Sequence, residues 1–100
     1  MNVQIQSIHF KADQKLKDYI QKKLSKLEHL YDAIIDSQVF LKVENNHQKI
    51  NKTIEVKLNV QNQSIFKTQT SQSFEAATDL AVDALKIQLK KYKERLRLTA

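Results

Sequence analysis

Basic side chains recur at helical spacing near the C-terminal end of the sequence. The positions i, i+4, i+7 and i+11 of this stripe are Lys86, Lys90, Lys93 and Arg97. On a helix they fall within roughly 60° of one another. Like charges at a spacing of i, i+4 destabilise an isolated helix, so the stripe favours an anionic ligand. A row of ammonium and guanidinium groups binds phosphates, and the pattern therefore predicts a nucleic-acid-binding surface.

A second stripe of lysines stands on an earlier helical segment. Lys15, Lys22 and Lys26 share one side of residues 13–30, and Lys11 lies just upstream. Each stripe is about 110° from the apolar line of its own helix, which predicts two basic flanks beside the core. The net charge of +6, from 17 Lys+Arg and 11 Asp+Glu, also favours a polyanionic partner. The alternative is that exposed lysines only keep the protein soluble and that Arg95 and Arg97 complement the helix dipole.

Residues for catalysis are missing or scattered. The sequence has no Gly and no Cys, which excludes P-loops, dinucleotide-binding fingerprints, thiolate nucleophiles and Cys-containing zinc sites. His9, His29 and His47 lack the spacing of a metal site. Glu44 and Glu55 could face each other across a hairpin, but a solvated face is the favoured interpretation. We therefore expect no enzyme activity, no metal, no cofactor and no small-molecule substrate.

The N-terminal residues 1–7 alternate between apolar and polar types, without a basic region followed by a long apolar run. No segment approaches the length of a membrane span. We expect a cytoplasmic protein without a membrane partner. A chain of 100 residues, of which 41% are hydrophobic, predicts a single domain over residues 1–100.

Alternation of apolar residues predicts four strands. The first holds Val3 and Ile5, then Ile8 and Phe10 after a change of phase near Ser7. The others are residues 37–44, 53–60 and 64–70, the last being a weaker, edge-like strand. Polar residues 45–48 and 61–63 predict the two hairpin connections, with Asn replacing Gly in the first.

Helical periodicity predicts two helices. Residues 13–30 form the first, with Asp13 as N-cap. One side of this helix, apolar except for Lys23, holds Leu16, Tyr19, Ile20, Lys23, Leu24, Leu27, Leu30 and Tyr31. The second runs from about residue 73 to 98, with Ser71 and Ser73 as alternative caps. Its apolar line is Phe74, Ala77, Ala81, Leu85, Leu89, Tyr92 and Leu96. The predicted fold is α+β, of order β-α-β-β-β-α, with two parallel helices packed on one face of a four-stranded antiparallel sheet.

Five segments resemble the ribosome hibernation-promoting factors, also called ribosome-associated inhibitors or the sigma-54 modulation protein family. They are the N-terminal strand and residues 22–31 (KKLSKLEHLY), 41–44 (LKVE), 74–79 (FEAATD) and 83–96, which end in QLKKYKERL. No segment is specific alone, but their order over essentially the whole chain is. The resemblance is to the short form, which lacks an extra C-terminal dimerisation domain, and it implies a fold like the double-stranded-RNA-binding domain.

The resemblance also implies a function. Such a protein binds rRNA of the small ribosomal subunit in the channel shared by mRNA and the A- and P-site tRNAs. It represses translation by occlusion, stabilising inactive ribosomes or promoting their dimerisation with a separate dimerising factor. By position, the implied rRNA contacts are Lys22, Lys23, Lys26, Lys86, Lys90, Lys91, Lys93 and Arg95, and the stripe adds Arg97. Two departures from the family are Asn62-Gln63 in place of Gly-Gly, and Lys86 one position before the usual basic residue.

A module that binds free double-stranded RNA is the alternative function. Phe40 and Phe66 are out of phase with the inward residues of their strands and could stack on bases. The start of the second helix, residues 73–79, is acidic, whereas duplex-RNA binders usually have a Lys-rich start there. This difference favours the ribosomal interpretation.

Overall fold

The computed structural model describes residues 1–31, 33–45 and 50–99. The elements are β1 (Asn2–Ile8), α1 (Gln14–Leu30), β2 (Ile34–Asn45), β3 (Ile50–Val60), β4 (Gln63–Ser71) and α2 (Phe74–Thr99). The predicted order β-α-β-β-β-α is confirmed. Beyond Asn45, the predicted connection at 45–48 lies outside the described residues.

The four strands form one sheet in the order β1-β2-β3-β4. β1 runs parallel to β2, while β2–β3 and β3–β4 are antiparallel pairs. The expectation of a purely antiparallel sheet is therefore wrong. The reason is that α1 connects β1 to β2, and a helical crossover joins parallel strands.

The core lies between the sheet and the two helices. Alternate residues of β2 and β3 face it, and Val39, Leu41, Ile54, Val56 and Leu58 are almost completely buried. The helices contribute the fully buried side chains Ile20, Leu24, Leu27 and Leu85. Contacts between the helices run in the same chain direction, from Tyr19–Asp79 to Tyr31–Tyr92, so the two helices are parallel.

Both helices begin at side-chain caps. The Leu16 N–H donates to Asp13 Oδ1 at 2.8 Å, which confirms Asp13 as the N-cap of α1. The Ala76 N–H donates to Ser73 Oγ at 3.0 Å. Ser73 rather than Ser71 therefore caps α2 and satisfies one of its free backbone donors.

Among the described residues, two non-glycine residues have a left-handed backbone at points where the chain turns. His9 has φ 64° and ends β1, after which Phe10 stacks on Phe74 with ring centroids 5.3 Å apart. The alternation of β1 breaks between Ser7 and Ile8, which are both half-buried, so the change of phase predicted near Ser7 is confirmed. Asn62 has φ 71° in the β3–β4 turn. Asn tolerates this conformation better than most residues, which is how a chain without Gly makes the hairpin.

In the part of the chain that the structure describes, neither helix is long and apolar enough to cross a membrane.

Candidate nucleic-acid interface

A cleft runs between α1 and α2 on the side of the helices away from the sheet. Its first part is lined by Lys23, Lys26, Asp79, Val82, Asp83 and Lys86. Its second part is lined by Leu30, Tyr31, Lys86, Leu89, Lys90 and Lys93. Because Lys86 lines both parts, they form one surface, which we call the inter-helix cleft.

The end of the inter-helix cleft near the start of α2 is partly acidic. Tyr19 Oη donates to Asp79 Oδ1 at 2.7 Å, and Lys23 Nζ lies 3.4 Å from the same oxygen. The hydrogen bond to Asp79 raises the pKa of Tyr19, with smaller contributions from desolvation and the Asp79 charge. The pKa of Lys23 is also raised, mainly by its hydrogen bond to Asp79. Lys23 is therefore an ion-paired contact between the helices as well as a predicted binding residue.

The other end of the inter-helix cleft is basic. Lys86, Lys90 and Lys93 occupy successive turns of α2, and Lys26 stands across from Lys86 on α1. Within residues 1–31, 33–45 and 50–99, none of these four lysines has a carboxylate at ion-pair distance. Four unpaired ammonium groups around one concave surface attract phosphates strongly. This arrangement can bind an RNA backbone, and it offers no group for covalent chemistry.

The predicted binding residues do not form a single surface. Lys86, Lys90 and Lys93 meet in the basic end, Lys23 and Lys26 line the first part of the cleft with Asp79 and Asp83, and Lys22 is exposed on α1 outside the lining of the cleft. Lys91 and Arg95 lie on the opposite flank of α2, beside Phe66 and other residues of β4. The side chain of Arg97 lies outside the described part of the structure.

The division of α2 into two flanks has a clear signal in the sequence. At 100° per residue, Lys91 and Arg95 point roughly 150° away from the stripe of Lys86, Lys90 and Lys93. The resemblance places all five on one interface by position, whereas helical geometry places them on two sides. We call the side formed by Lys91 and Arg95 the β4 flank.

Apolar residues at the basic end were not predicted as part of a site. Leu30 was assigned to the apolar line of α1, but its side chain is 53% exposed. α1 ends at Leu30, and Tyr31 follows as an extended C-cap residue, so the helical period no longer holds its neighbours against the sheet. The Tyr31 ring packs edge-on against Tyr92, with centroids 5.5 Å apart. Leu30 and Tyr31 thus become part of the inter-helix cleft.

The outer face of the sheet does not provide a comparable aromatic surface. Phe66 is 64% exposed, and Lys57 Nζ lies 5.6 Å from its ring centroid. Phe40 is half-buried on β2 and is separated from β4 by the intervening strand β3. Two strand spacings amount to roughly 10 Å, so these two rings do not form a continuous stacking platform.

The candidate carboxylate pair is also not formed. Glu44 is opposite Asn51 in the β2–β3 register, and Glu55 is opposite Phe40. Lys42 Nζ lies 3.6 Å from Glu44, as expected of a solvated sheet face. Among the described residues, no group of three or more His, Cys, Asp or Glu side chains could hold a metal ion.

The model of the family described as sigma 54 modulation protein / S30EA ribosomal protein matches residues 3–97. The chain belongs to this family. A ribosome hibernation promoting factor of Pseudomonas putida is 35% identical over 100 residues, covering 95% of this chain and 89% of the relative. The protein of the same name from Escherichia coli K12 is 31% identical over 97 residues, covering 97% and 98%.

Solved structures show the same fold as this member of the S30EA family. A ribosomal subunit interface protein from Coxiella burnetii superposes with a TM-score of 0.82 at 21% identity, covering 94% of this chain and 99% of that one. The N-terminal domain of Protein Y from Thermus thermophilus gives 0.81 at 22% identity, covering 92% and 99%. The predicted arrangement of two helices on a four-stranded sheet is therefore confirmed by these neighbours as well.

Proposed function

We propose that this protein binds rRNA of the small ribosomal subunit in the channel used by mRNA and by the A- and P-site tRNAs, and represses translation by occluding it. The observation that carries the proposal is the inter-helix cleft, which is lined by Lys26, Lys86, Lys90 and Lys93, four lysines with no carboxylate at ion-pair distance in the described chain. Relatives named ribosome hibernation promoting factor support a role in ribosome hibernation. Such factors are a non-enzymatic kind of protein.

Occlusion needs a rigid body more than it needs chemistry. The protein measures 50 × 26 × 18 Å, and fully buried side chains from both helices fix the inter-helix cleft over the sheet. Because the lysines stand on regular helices, their relative spacing is set before binding, and little ordering is required of the backbone. A folded body of this width that occupies the phosphates of a channel excludes mRNA and tRNA from it.

The β4 flank gives the proposed complex a second contact. Lys91 and Arg95 point away from the inter-helix cleft, so they meet a different RNA segment from the one held by Lys86 and Lys90. Contacts on two sides of α2 suit a channel, whose walls surround the ligand, better than they suit one face of a free RNA duplex. The occupied ribosome is then held inactive or joined to another by a separate dimerising factor.

The test is co-sedimentation with purified small subunits. In the double variant Lys86→Glu/Lys90→Glu the basic end carries two carboxylates, and we expect it to lose binding. Lys42→Glu/Lys57→Glu makes the same change of net charge on the outer face of the sheet and should sediment like the unchanged protein. Circular dichroism of both variants checks that the fold is retained, since all four side chains lie at the surface.

Competition then distinguishes the channel from other RNA. Small subunits filled in advance with mRNA and initiator tRNA should not bind the protein, whereas an equal mass of free duplex RNA should not displace it. Equal loss of binding in both double variants, or displacement by duplex RNA, would contradict the proposal. The second result would instead support a general double-stranded-RNA-binding module.

A further inference from the structure

The basic end of the inter-helix cleft contains a cavity of about 280 Å³ with two chemical parts. Its floor is formed by Leu30, Tyr31 and Leu89, and its rim by Lys86, Lys90 and Lys93. An apolar floor is unnecessary for a phosphate chain, which needs only the rim. A ligand that uses both parts has a compact apolar body joined directly to an anion.

We propose that this cavity seats one unstacked nucleotide of RNA, with its base against Leu30, Tyr31 and Leu89 and its flanking phosphates on the three lysines. The inference rests on the proposed function, because it takes the rRNA as the source of that nucleotide. A base is a flat body with two apolar faces, and the cavity lies just below the volume range of sites for drug-sized ligands. Its size is sufficient for one base.

The wall of the cavity is held in place without a ligand. The Tyr31 N–H donates to the Leu27 carbonyl at 3.0 Å and fixes the residue at the end of α1. Its ring packs edge-on against Tyr92, whose hydroxyl donates to the Gln61 carbonyl at 2.7 Å. Tyr31 is thus supported by α1, by α2 and by the β3–β4 turn. A preorganised aromatic wall loses little freedom when a base stacks on it.

Neighbouring depressions combine charge and apolar surface differently. Nearer the start of α2, Asp79 and Asp83 line the inter-helix cleft beside Lys23, Lys26 and Lys86, so the excess of positive charge is smaller there. On the β4 flank, Lys91 and Arg95 lie beside the exposed ring of Phe66 and beside Gln63, Ser64 and Gln88. Among the described residues, the basic end brings three lysines and no carboxylate to an apolar floor, and we take it as the position where one base is bound.

A single substitution separates the base contact from the phosphate contacts. Leu30→Asn removes part of the apolar floor without changing any charge. A base that covers the Leu30 side chain removes apolar surface from water, so we expect its loss to lower the affinity for small subunits about tenfold. The dependence of that affinity on salt concentration should not change, because the lysines remain. The matched control is Ile87→Asn, since Ile87 is a 60% exposed apolar residue of α2 outside the cleft. It should bind within twofold of the unchanged protein.

Ultraviolet crosslinking of the complex with the unchanged protein gives a second readout. It does not depend on whether the variant Leu30→Asn folds. We expect mass spectrometry to find an RNA nucleotide joined to the peptide that contains Tyr31. Equal affinities of Leu30→Asn and Ile87→Asn, or crosslinks confined to other peptides, would overturn the inference. So would a micromolar dissociation constant for AMP in calorimetry, which would make a free nucleotide the occupant. Failure of the unchanged protein to sediment with small subunits would instead reject the proposed function.

Discussion

Tyr19 donates a hydrogen bond of 2.7 Å to Asp79, a residue 60 positions away on the other helix. Lys23 approaches the same carboxylate oxygen within 3.4 Å. Asp79 therefore joins α1 to α2 and compensates one lysine of the predicted binding set. Together with Asp83, it makes the end of the inter-helix cleft near the start of α2 partly acidic.

This contact predicts a change in the titration of Tyr19. The pKa of the Tyr19 phenol is raised above its ordinary value of 10.0 because the neutral hydroxyl donates to Asp79. In Asp79→Asn, both the hydrogen bond to a carboxylate and the repulsion by its charge are lost, so the pKa should move down towards 10.0. Phenolate absorbance, compared with that of Tyr19→Phe, measures this shift. Asp83→Asn is the control and should leave the titration of Tyr19 unchanged.

The hydrogen bond between Tyr19 and Asp79 also affects the stability of the fold at alkaline pH. A group whose folded pKa is raised stabilises the fold below its unfolded pKa and loses that contribution as pH rises through the folded value. We expect the stability of the unchanged protein to decline more steeply above pH 10 than that of Asp79→Asn. Urea unfolding at several pH values checks this, and parallel declines would contradict the role of the contact.

The affinity for small subunits should depend strongly on salt. Each phosphate neutralised by the protein contributes roughly 0.7–0.9 to the slope of log affinity against log salt concentration. Lys86→Gln/Lys90→Gln should lower that slope by about 1 for each lysine removed. Lys42→Gln/Lys57→Gln should leave it unchanged. A slope near zero for the unchanged protein would mean that phosphate contacts do not dominate binding.

The β4 flank should contribute to binding independently of the inter-helix cleft. Lys91→Glu/Arg95→Glu is expected to weaken co-sedimentation even though the inter-helix cleft is intact. Because the two flanks lie on opposite sides of α2, the free-energy losses of the two double variants should add within about 0.5 kcal/mol. Circular dichroism must first show that α2 is retained. Normal binding by Lys91→Glu/Arg95→Glu would restrict the interface to the inter-helix cleft.

The contribution of Asn62 to stability should depend on the backbone conformation of the β3–β4 turn rather than on the chemistry of its side chain. Asn62 has φ 71°, a conformation that Gly adopts freely and that Ala adopts at a cost of about 1 kcal/mol. Asn62→Gly should therefore match or exceed the stability of the unchanged protein, and Asn62→Ala should lower it, as measured by urea unfolding. Gln61→Ala is the control, because the backbone carbonyl that accepts from Tyr92 is retained.

Inhibition of translation should be stoichiometric and reversible. If the protein acts by occupying a channel, activity in a purified system should end near one protein per ribosome. A high-salt wash that removes the protein should restore activity with intact rRNA. Inhibition by a small fraction of that amount, or activity that stays lost after the wash, would indicate an enzyme.

Local patterns in the sequence were sufficient for most elements. β3 was predicted well because Ile54, Val56 and Leu58 alternate with polar residues, and one face of that strand is buried. The caps of both helices followed from Asp13 and Ser73, although the choice between Ser71 and Ser73 required the structure. The parallel pairing of β1 with β2 was missed, because alternation along a strand does not report the direction of its neighbour.

The candidate interface was predicted less completely. The family resemblance, applied position by position, places Lys90 and Lys91 on one interface, although adjacent helical residues point about 100° apart. The periodicity puts Leu30 in line with the buried residues of α1, but it does not show that this last residue of the helix is 53% exposed. The ion pair of Lys23 with Asp79 depends on how two distant segments pack, and no local pattern contains that information.

α2 is shared between the interior of the protein and its proposed contacts with RNA. Its residues Ala77, Leu85 and Leu89 are buried in the core, whereas Lys90 and Lys91 project from its two flanks. A partner that binds only the folded chain adds RT ln(1 + [L]/Kd) to the free energy of unfolding, about 2.7 kcal/mol at a hundredfold excess over Kd. The unbound chain then opens more often and is the form that proteases degrade. The lifetime of the protein in the cell would follow the supply of idle ribosomes, with no separate signal needed to remove the surplus.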